Sequence, residues 1–361
     1  MPFSVKVLGV LRPFFQEGSK QGLGRSPKVF PHLLTFCGFC GILLENYVGE
    51  VDTMGVQTVF VNVLIMLFYM ACGFVLVKTK KADPDHARSF SGLLLYVCSP
   101  CLILSAFQSM EYAPADFAKA GQFFGVSLIT QLLFIGILYL ILHRRYKISK
   151  YRILTVGAVL GNVGFFGLPL VTGLFPDQPI VACYSTMYIT SMNFLVFTLG
   201  VFLITQKKQY ISFRAAILNP TTLSVAVAIP LYLLRVRFPA PMADTVSLLG
   251  RMSTPLCMVI LGKRLASMHL KTVFAQPFAY AVCALKLVVY PLFAFLCVKF
   301  LPFFDDTFKI CLYVLSAAPS GAIILSLAEL HGCEQRLSAN VVLLTTLFSL
   351  LTLPLMLLLI V

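Results

Sequence analysis

The sequence predicts an all-α, polytopic membrane protein of ten transmembrane helices, arranged as a five-plus-five inverted repeat in which spans 4 and 9 are broken. Three observations carry this. Hydrophobic residues make up 59% of the 361 and charged residues 12%, against about 45–50% and about 25% in soluble globular domains. Apolar stretches recur at the length needed to cross a bilayer, about 20 residues. Glycine and proline interruptions fall at corresponding places in the two halves.

Taken in order, the chain opens with a segment unlike the rest. Residues 1–53 carry Lys6, Arg12, Lys20, Arg25 and Lys28, then an apolar run from Leu33 to Leu44 that is short for a span. An eleventh helix, a signal-like segment and an N-terminal extension outside the native protein are three readings. The third is favoured, because Gly49-Glu50-Val51 can be encoded by a purine-rich, ribosome-binding-like stretch just ahead of Met54. The first five-helix repeat is then 54–212, with spans 57–77, 89–109, 117–142, 152–175 and 183–205. The second is 213–361, with spans 213–234, 245–267, 273–299, 307–328 and 338–361. The gaps are short, so the helices are expected to pack as neighbours in one bundle.

The two halves echo one another. Span 2 holds Ser99-Pro100-Cys101-Leu102 and span 7 holds Thr254-Pro255-Leu256-Cys257, an offset of 155 residues (255 minus 100). Span 4 centres on Gly161-Asn162-Val163-Gly164-Phe165-Phe166-Gly167-Leu168-Pro169. Span 9 holds Ala318-Pro319-Ser320-Gly321, offset by 157 (319 minus 162). Five spans per copy is an odd number, so the copies enter the membrane from opposite sides, an arrangement found in many secondary transporters.

The net charge of +14 is spread over inter-span gaps rather than gathered on one face with aromatic platforms, which argues against nucleic acid. One set of alternate gaps carries Lys78, Lys80, Lys81, Arg88, Arg144, Arg145, Lys147, Lys150, Lys207, Lys208, Lys271 and Arg336, and the other carries Arg235 and Arg237. The first set is expected on the cytoplasmic side, with Met54 and the C-terminus outside. The eleven cysteines lie mostly in apolar runs, where cysteine acts as a small hydrophobe. Neither a disulfide framework, a metal site nor a cofactor is expected.

The chemistry is expected at the interruptions. Glycine and proline free backbone amides and carbonyls near mid-membrane, where each unsatisfied group costs several kcal/mol, so these groups must meet protein, water or a ligand. Half-helix N-termini that converge would favour an anion. Glycines and prolines also merely kink membrane helices, but two breaks in matching positions favour a substrate site formed by Gly161, Asn162, Gly164, Pro319, Ser320 and Gly321. Asn162 can donate and accept hydrogen bonds, either to a carboxylate or to the broken backbone; Ser316 lies nearby. Lys286 is read as the one strong charge deep in a span. It would balance an anionic substrate, imitate a bound cation, or pin helix carbonyls. No Asp or Glu falls in mid-span, which weighs against cation coupling. Pro100 and Pro255 are expected to kink spans 2 and 7, with Ser99, Ser253 and Thr254 covering freed carbonyls. Asn219 and Asn340 read as caps, and Asn62 and Asn193 as interhelical contacts.

Gly161 through Leu170, followed by Pro319-Ser320-Gly321 and Thr352-Leu353-Pro354-Leu355, resembles the auxin efflux carrier family, which includes plant PIN proteins and bacterial permeases. The similarity spans about residues 54–361. It implies that spans 4 and 9 cross at their breaks, that spans 1, 2, 6 and 7 form a scaffold against a moving domain, and that two copies pair as a homodimer. The family's crossover asparagine falls on Asn162 and its second crossover proline on Pro319. Gly161 stands where plant members have proline, and the long loop of many plant members is absent, so auxin specificity does not carry over. The expected function is a secondary transporter of small organic anions, carboxylates such as malate or malonate, in the cytoplasmic membrane. A cation-coupled symporter of the same fold and a non-transporting receptor are the alternatives. No zinc cluster, paired aspartates or Ser/His/Asp set favours an enzyme.

Overall fold

The computed structural model describes residues 53–81, 87–267 and 273–358. The extension expected over 1–53 falls outside the described residues up to Asp52, as does the C-terminal Val361. The described residues are helical, with no strand among them. In chain order the helices are α1 (Thr53–Lys78), α2 (Ser89–Gln108), α3 (Pro114–Arg145), α4 (Ser149–Val159), α5 (Val163–Leu174), α6 (Ile180–Thr205), α7 (Lys208–Leu233), α8 (Ala240–Ser267), α9 (Pro277–Lys299), α10 (Asp306–Ala317), α11 (Ala322–His331) and α12 (Gln335–Leu357).

Seven of these (α1, α2, α3, α6, α7, α8 and α9) are long and apolar enough to cross a membrane. An eighth is reached if α12, bent by 52° between Ser349 and Leu351, counts as one span. Pro354 explains the bend, because a proline ring collides with the carbonyl four residues earlier. The chain is therefore a multi-pass membrane protein. Its outer faces agree: Phe68, Tyr96, Leu140 and Ile141 are each about two-thirds exposed or more, as side chains solvated by lipid would be.

Prolines shape the helices in a repeated way. Widened π turns at Leu94–Cys98, Val163–Gly167 and Leu285–Val289 each end two residues before a proline, at Pro100, Pro169 and Pro291. An extra residue in the turn relieves the ring's clash and the missing N–H. Ser253, expected to cover a carbonyl freed by Pro255, is instead buried with its hydroxyl unpaired among the described residues. Asn219 does cap α7's inner segment, accepting from Thr222 N–H at 2.9 Å. Asn340 does not cap; it is buried within α12.

Packing sorts the helices into two groups. α2 lies against α7 and α8, and α1 joins them through glycine contacts. A Cβ on Gly262 of α8 would fall 1.8 Å from Met70 O of α1, and one on Gly73 would fall 2.1 Å from Val259 O. Only glycine permits backbones this close. The second group comprises α3–α6 and α9–α12, packed on one another. Arg235 and Arg237, the basic residues of the sparse gaps, are held locally. Arg237 donates to the carbonyls of Gln108 and Met110 at the end of α2, and Arg235 sits 4.6 Å over the Tyr112 ring.

Candidate functional site

The two interruptions come together in the second group. α4 stops at Val159, Leu160 turns extended, and α5 starts at Val163. α10 stops at Ala317, and Ala318 and Gly321 are extended before α11. Gly161 and Ser320 then form an isolated antiparallel bridge. Asn162 N–H donates to Pro319 O at 2.7 Å, and Gly321 N–H donates to Leu160 O at 3.0 Å. The freed backbone of each break is thus partly satisfied by the other. Further groups are covered from the sides: Ser320 N–H donates to Thr345 Oγ1 (3.0 Å), and Ser320 Oγ donates to Gly157 O (2.8 Å).

The four half-helix ends divide by polarity. The C-terminal ends of α4 and α10 present Val159 O and Ser316 O to Lys286. Its Nζ donates to them at 3.0 and 2.9 Å. Lys286 is fully buried and also lies 4.8 Å over the Tyr290 ring. One ammonium therefore neutralises two negative helix ends, which answers what keeps a charge in the interior.

The N-terminal ends of α5 and α11 face elsewhere. Val163, Gly164 and Phe165 of α5, with Ala322 and Ile323 of α11, line a cavity of about 210 Å³. The cavity is walled on its other sides by α2, α6, α7 and α8. Its polar lining includes Asn162, Asn193, Ser99, Thr221, Ser326 and Arg264. It runs from the break toward Ser91 and Arg264, near the helix ends that adjoin the basic loops. The volume lies below the roughly 300–1,000 Å³ of drug-sized pockets and suits a small solute.

Of the residues singled out in the sequence, the cavity brings together Gly161, Asn162, Gly164 and Gly321. Pro319, Ser320 and Lys286 are not on its wall; they hold the break from behind. Asn162 is 6% exposed, and its side-chain amide reaches Cys257 Sγ at 3.8 Å, a long and weak contact that leaves most of its capacity uncommitted among the described residues. Asn193 lines the cavity, and Asn62 packs instead against Gly173. Sequence reasoning passed over the pair Lys263-Arg264. Lys286 is not alone as a deep charge: Lys263 is 2% exposed, with its Nζ 4.9 Å over the Phe90 ring and no hydrogen-bond partner among the described residues. Arg264 is the charged residue of the cavity wall and pairs with Glu329 at 3.1 Å. The available signal was two adjacent cations inside an apolar span. Cys98 and Cys101, a C-x-x-C spacing on α2, are free thiols.

A family model described as membrane transport protein matches residues 58–357. The chain belongs to this family. It is the auxin efflux carrier family that the motifs resemble. A curated relative within reach is an uncharacterized transporter from Methanocaldococcus jannaschii, 23% identical over 312 residues, covering 81% of this chain and 96% of the relative. The protein is thus a membrane transporter of the membrane transport protein family rather than an enzyme.

Proposed function

We infer that the protein is a secondary transporter of small organic anions, carboxylates of the size of malate or malonate, working by alternating access in the cytoplasmic membrane. One observation carries the anion assignment: the N-terminal turns of α5 and α11 line the same cavity as Arg264, and among the described residues no carboxylate stands on that wall. Positive helix ends and a guanidinium in a low-dielectric cleft select negative charge.

The same geometry supports a finer architecture. α4 with α5, and α10 with α11, each read as one broken span, which brings the total to ten and gives two inverted repeats, 54–212 and 213–361. The pairing at Gly161 and Ser320 is where broken spans of opposite direction would meet. With the basic loops cytoplasmic, Met54 and the C-terminus lie outside and the cavity extends inward. The α1, α2, α7, α8 group would serve as the scaffold against which the other group moves, and through which two copies would pair. Lys286 sits where two carbonyl ends would otherwise hold a cation, which favours transport without sodium.

Uptake of labelled malonate and malate into proteoliposomes, with and without a sodium or pH gradient, tests this. Uptake that needs neither gradient is expected. Strict dependence on one would make the protein a cation-coupled symporter, and saturable binding without uptake would make it a receptor.

A further inference from the structure

Among the described residues, the contacts Asn162–Cys257 and Arg264–Glu329 bridge the helix groups at the cavity. At its inner end Asn162 meets Cys257 of α8. Near the basic loops Arg264 of α8 meets Glu329 of α11. Among the described residues this is the ion pair that crosses between the groups; Lys119–Asp305 and Lys309–Asp306 both lie within the second.

The pair is asymmetric. Arg264 lines the cavity and its side chain is 25% exposed, whereas Glu329 is not on the cavity wall and its side chain is 49% exposed. Among the described residues the guanidinium makes a single hydrogen bond, Nη1 to Glu329 Oε1 at 3.1 Å. Arginine has five donors and fits a carboxylate best through two parallel bonds. A half-exposed ion pair contributes little to stability, so the resident carboxylate is easily displaced by one that binds through both oxygens inside the cleft.

We propose that Arg264 is the residue that recognises the carboxylate of the transported anion, and that Glu329 is its resident substitute, so that an entering carboxylate releases α11 from α8. This rests on the anion-transport reading and extends it to gating. Binding energy spent at Arg264 then loosens one of the bridges between the groups, which links occupancy to movement. Lys263, buried one residue earlier, holds its Nζ 4.9 Å over the Phe90 ring and has no hydrogen-bond partner among the described residues.

The test uses the full chain in nanodiscs, with Arg264→Gln, Glu329→Gln and Asn162→Ala. Binding of malonate, malate and acetate is measured by titration, with uncharged malonamide as control. Alkylation of native Cys257 by N-ethylmaleimide, without carboxylate, is followed by peptide mass spectrometry. Arg264→Gln is expected to weaken carboxylate binding about tenfold or more. Glu329→Gln should tighten it about threefold, the competitor being gone, and both variants should speed Cys257 alkylation several-fold. Equal weakening in both variants, or alkylation unchanged in both, overturns the proposal. Normal binding in Arg264→Gln with loss in Asn162→Ala overturns it and leaves the anion site standing. Normal binding in both Arg264→Gln and Asn162→Ala overturns the proposal and moves the anion site off this wall, and no carboxylate bound by the wild type removes the anion reading and the proposal with it.

Discussion

Gly321 lies so close to Gly161 that a Cβ built on it would sit 2.9 Å from the Gly161 carbonyl oxygen and 3.2 Å from the carbonyl carbon. The backbone of Gly321 is ordinary extended chain, so glycine is required here by space rather than by conformation. The contact is backbone to side chain and no flexible group can yield. Gly321→Val is expected to insert and fold but lose transport, while Gly136→Ala, with nothing within 4 Å, leaves uptake normal. Uptake per folded molecule in proteoliposomes checks both.

Lys286 donates to the last carbonyls of two half-helices, and its removal orphans both. A hydrogen bond to a charged group is worth about 1.5–3 kcal/mol, and a buried acceptor left bare costs about 1–3 kcal/mol. Lys286→Met preserves the stem and is expected to lower the melting temperature clearly, with uptake by the surviving protein reduced. Unchanged melting in detergent would show that the ammonium pins nothing.

How much of this was legible in the sequence differs by residue. Asn162 and Gly321 were visible because glycine and proline break a helix by local chemistry that no tertiary context hides. The place of Lys286 in a span was visible as well, but its partners were not. They depend on Val159 O and Ser316 O, 127 and 30 residues away, arriving at one point. Arg264 was lost for another reason. Three residues from the end of its helix it reads as a charge near the interface, and only the packing of α8 and α11 puts it on the cavity wall. The half-helices α4, α5, α10 and α11 are each shorter than a bilayer span, and the meeting of the two breaks at the Gly161–Ser320 bridge is a tertiary contact that no local pattern displays.

Asp305 caps α10, accepting from Phe308 N–H at 2.8 Å, and pairs with Lys119 at 2.7 Å. Partial burial raises its carboxyl pKa, but the Lys119 ammonium and the Phe308 N–H outweigh that and hold it below the usual carboxylate range. A carboxylate with a depressed folded pKa stabilises above its unfolded value, about 3.9, and loses that contribution as pH falls through the folded one. Asp305→Asn should therefore lower thermal stability slightly at neutral pH, by less than about 1 kcal/mol for so exposed a pair. The difference from wild type should close only in acid below pH ~4. A gap that closes between pH 5 and 7 would contradict this.

Orientation can be read by labelling. A cysteine replacing Lys80, beyond α1, is expected to react with an impermeant maleimide only after the membrane is opened. One replacing Asp177, between α5 and α6, should react in intact cells. The reverse pattern would invert the protein and turn the cavity to the outer side.

Asn162 is where the break, the cavity and the contact between helix groups coincide. Its backbone is committed: N–H to Pro319 O, and the carbonyl to Phe166 and Gly167 N–H. Its side chain touches Cys257 Sγ at a distance that makes a weak bond at best. Asn162→Ala therefore removes little that holds the fold, since the bridge to Pro319 is made by the main chain. What it removes is a donor and an acceptor beside two helix N-termini and on the same wall as Arg264. A hydrogen bond to a charged ligand is worth about 1.5–3 kcal/mol, or about tenfold and upward in affinity. Asn162→Ala is expected to melt within a few degrees of wild type and to bind malonate at least about tenfold more weakly by calorimetric titration. Asn162→Asp should lose still more, because it sets a carboxylate against the anion. If Asn162→Asp binds malonate as well as wild type does, the positive helix ends are not the determinant of binding, and the site lies elsewhere in the cavity.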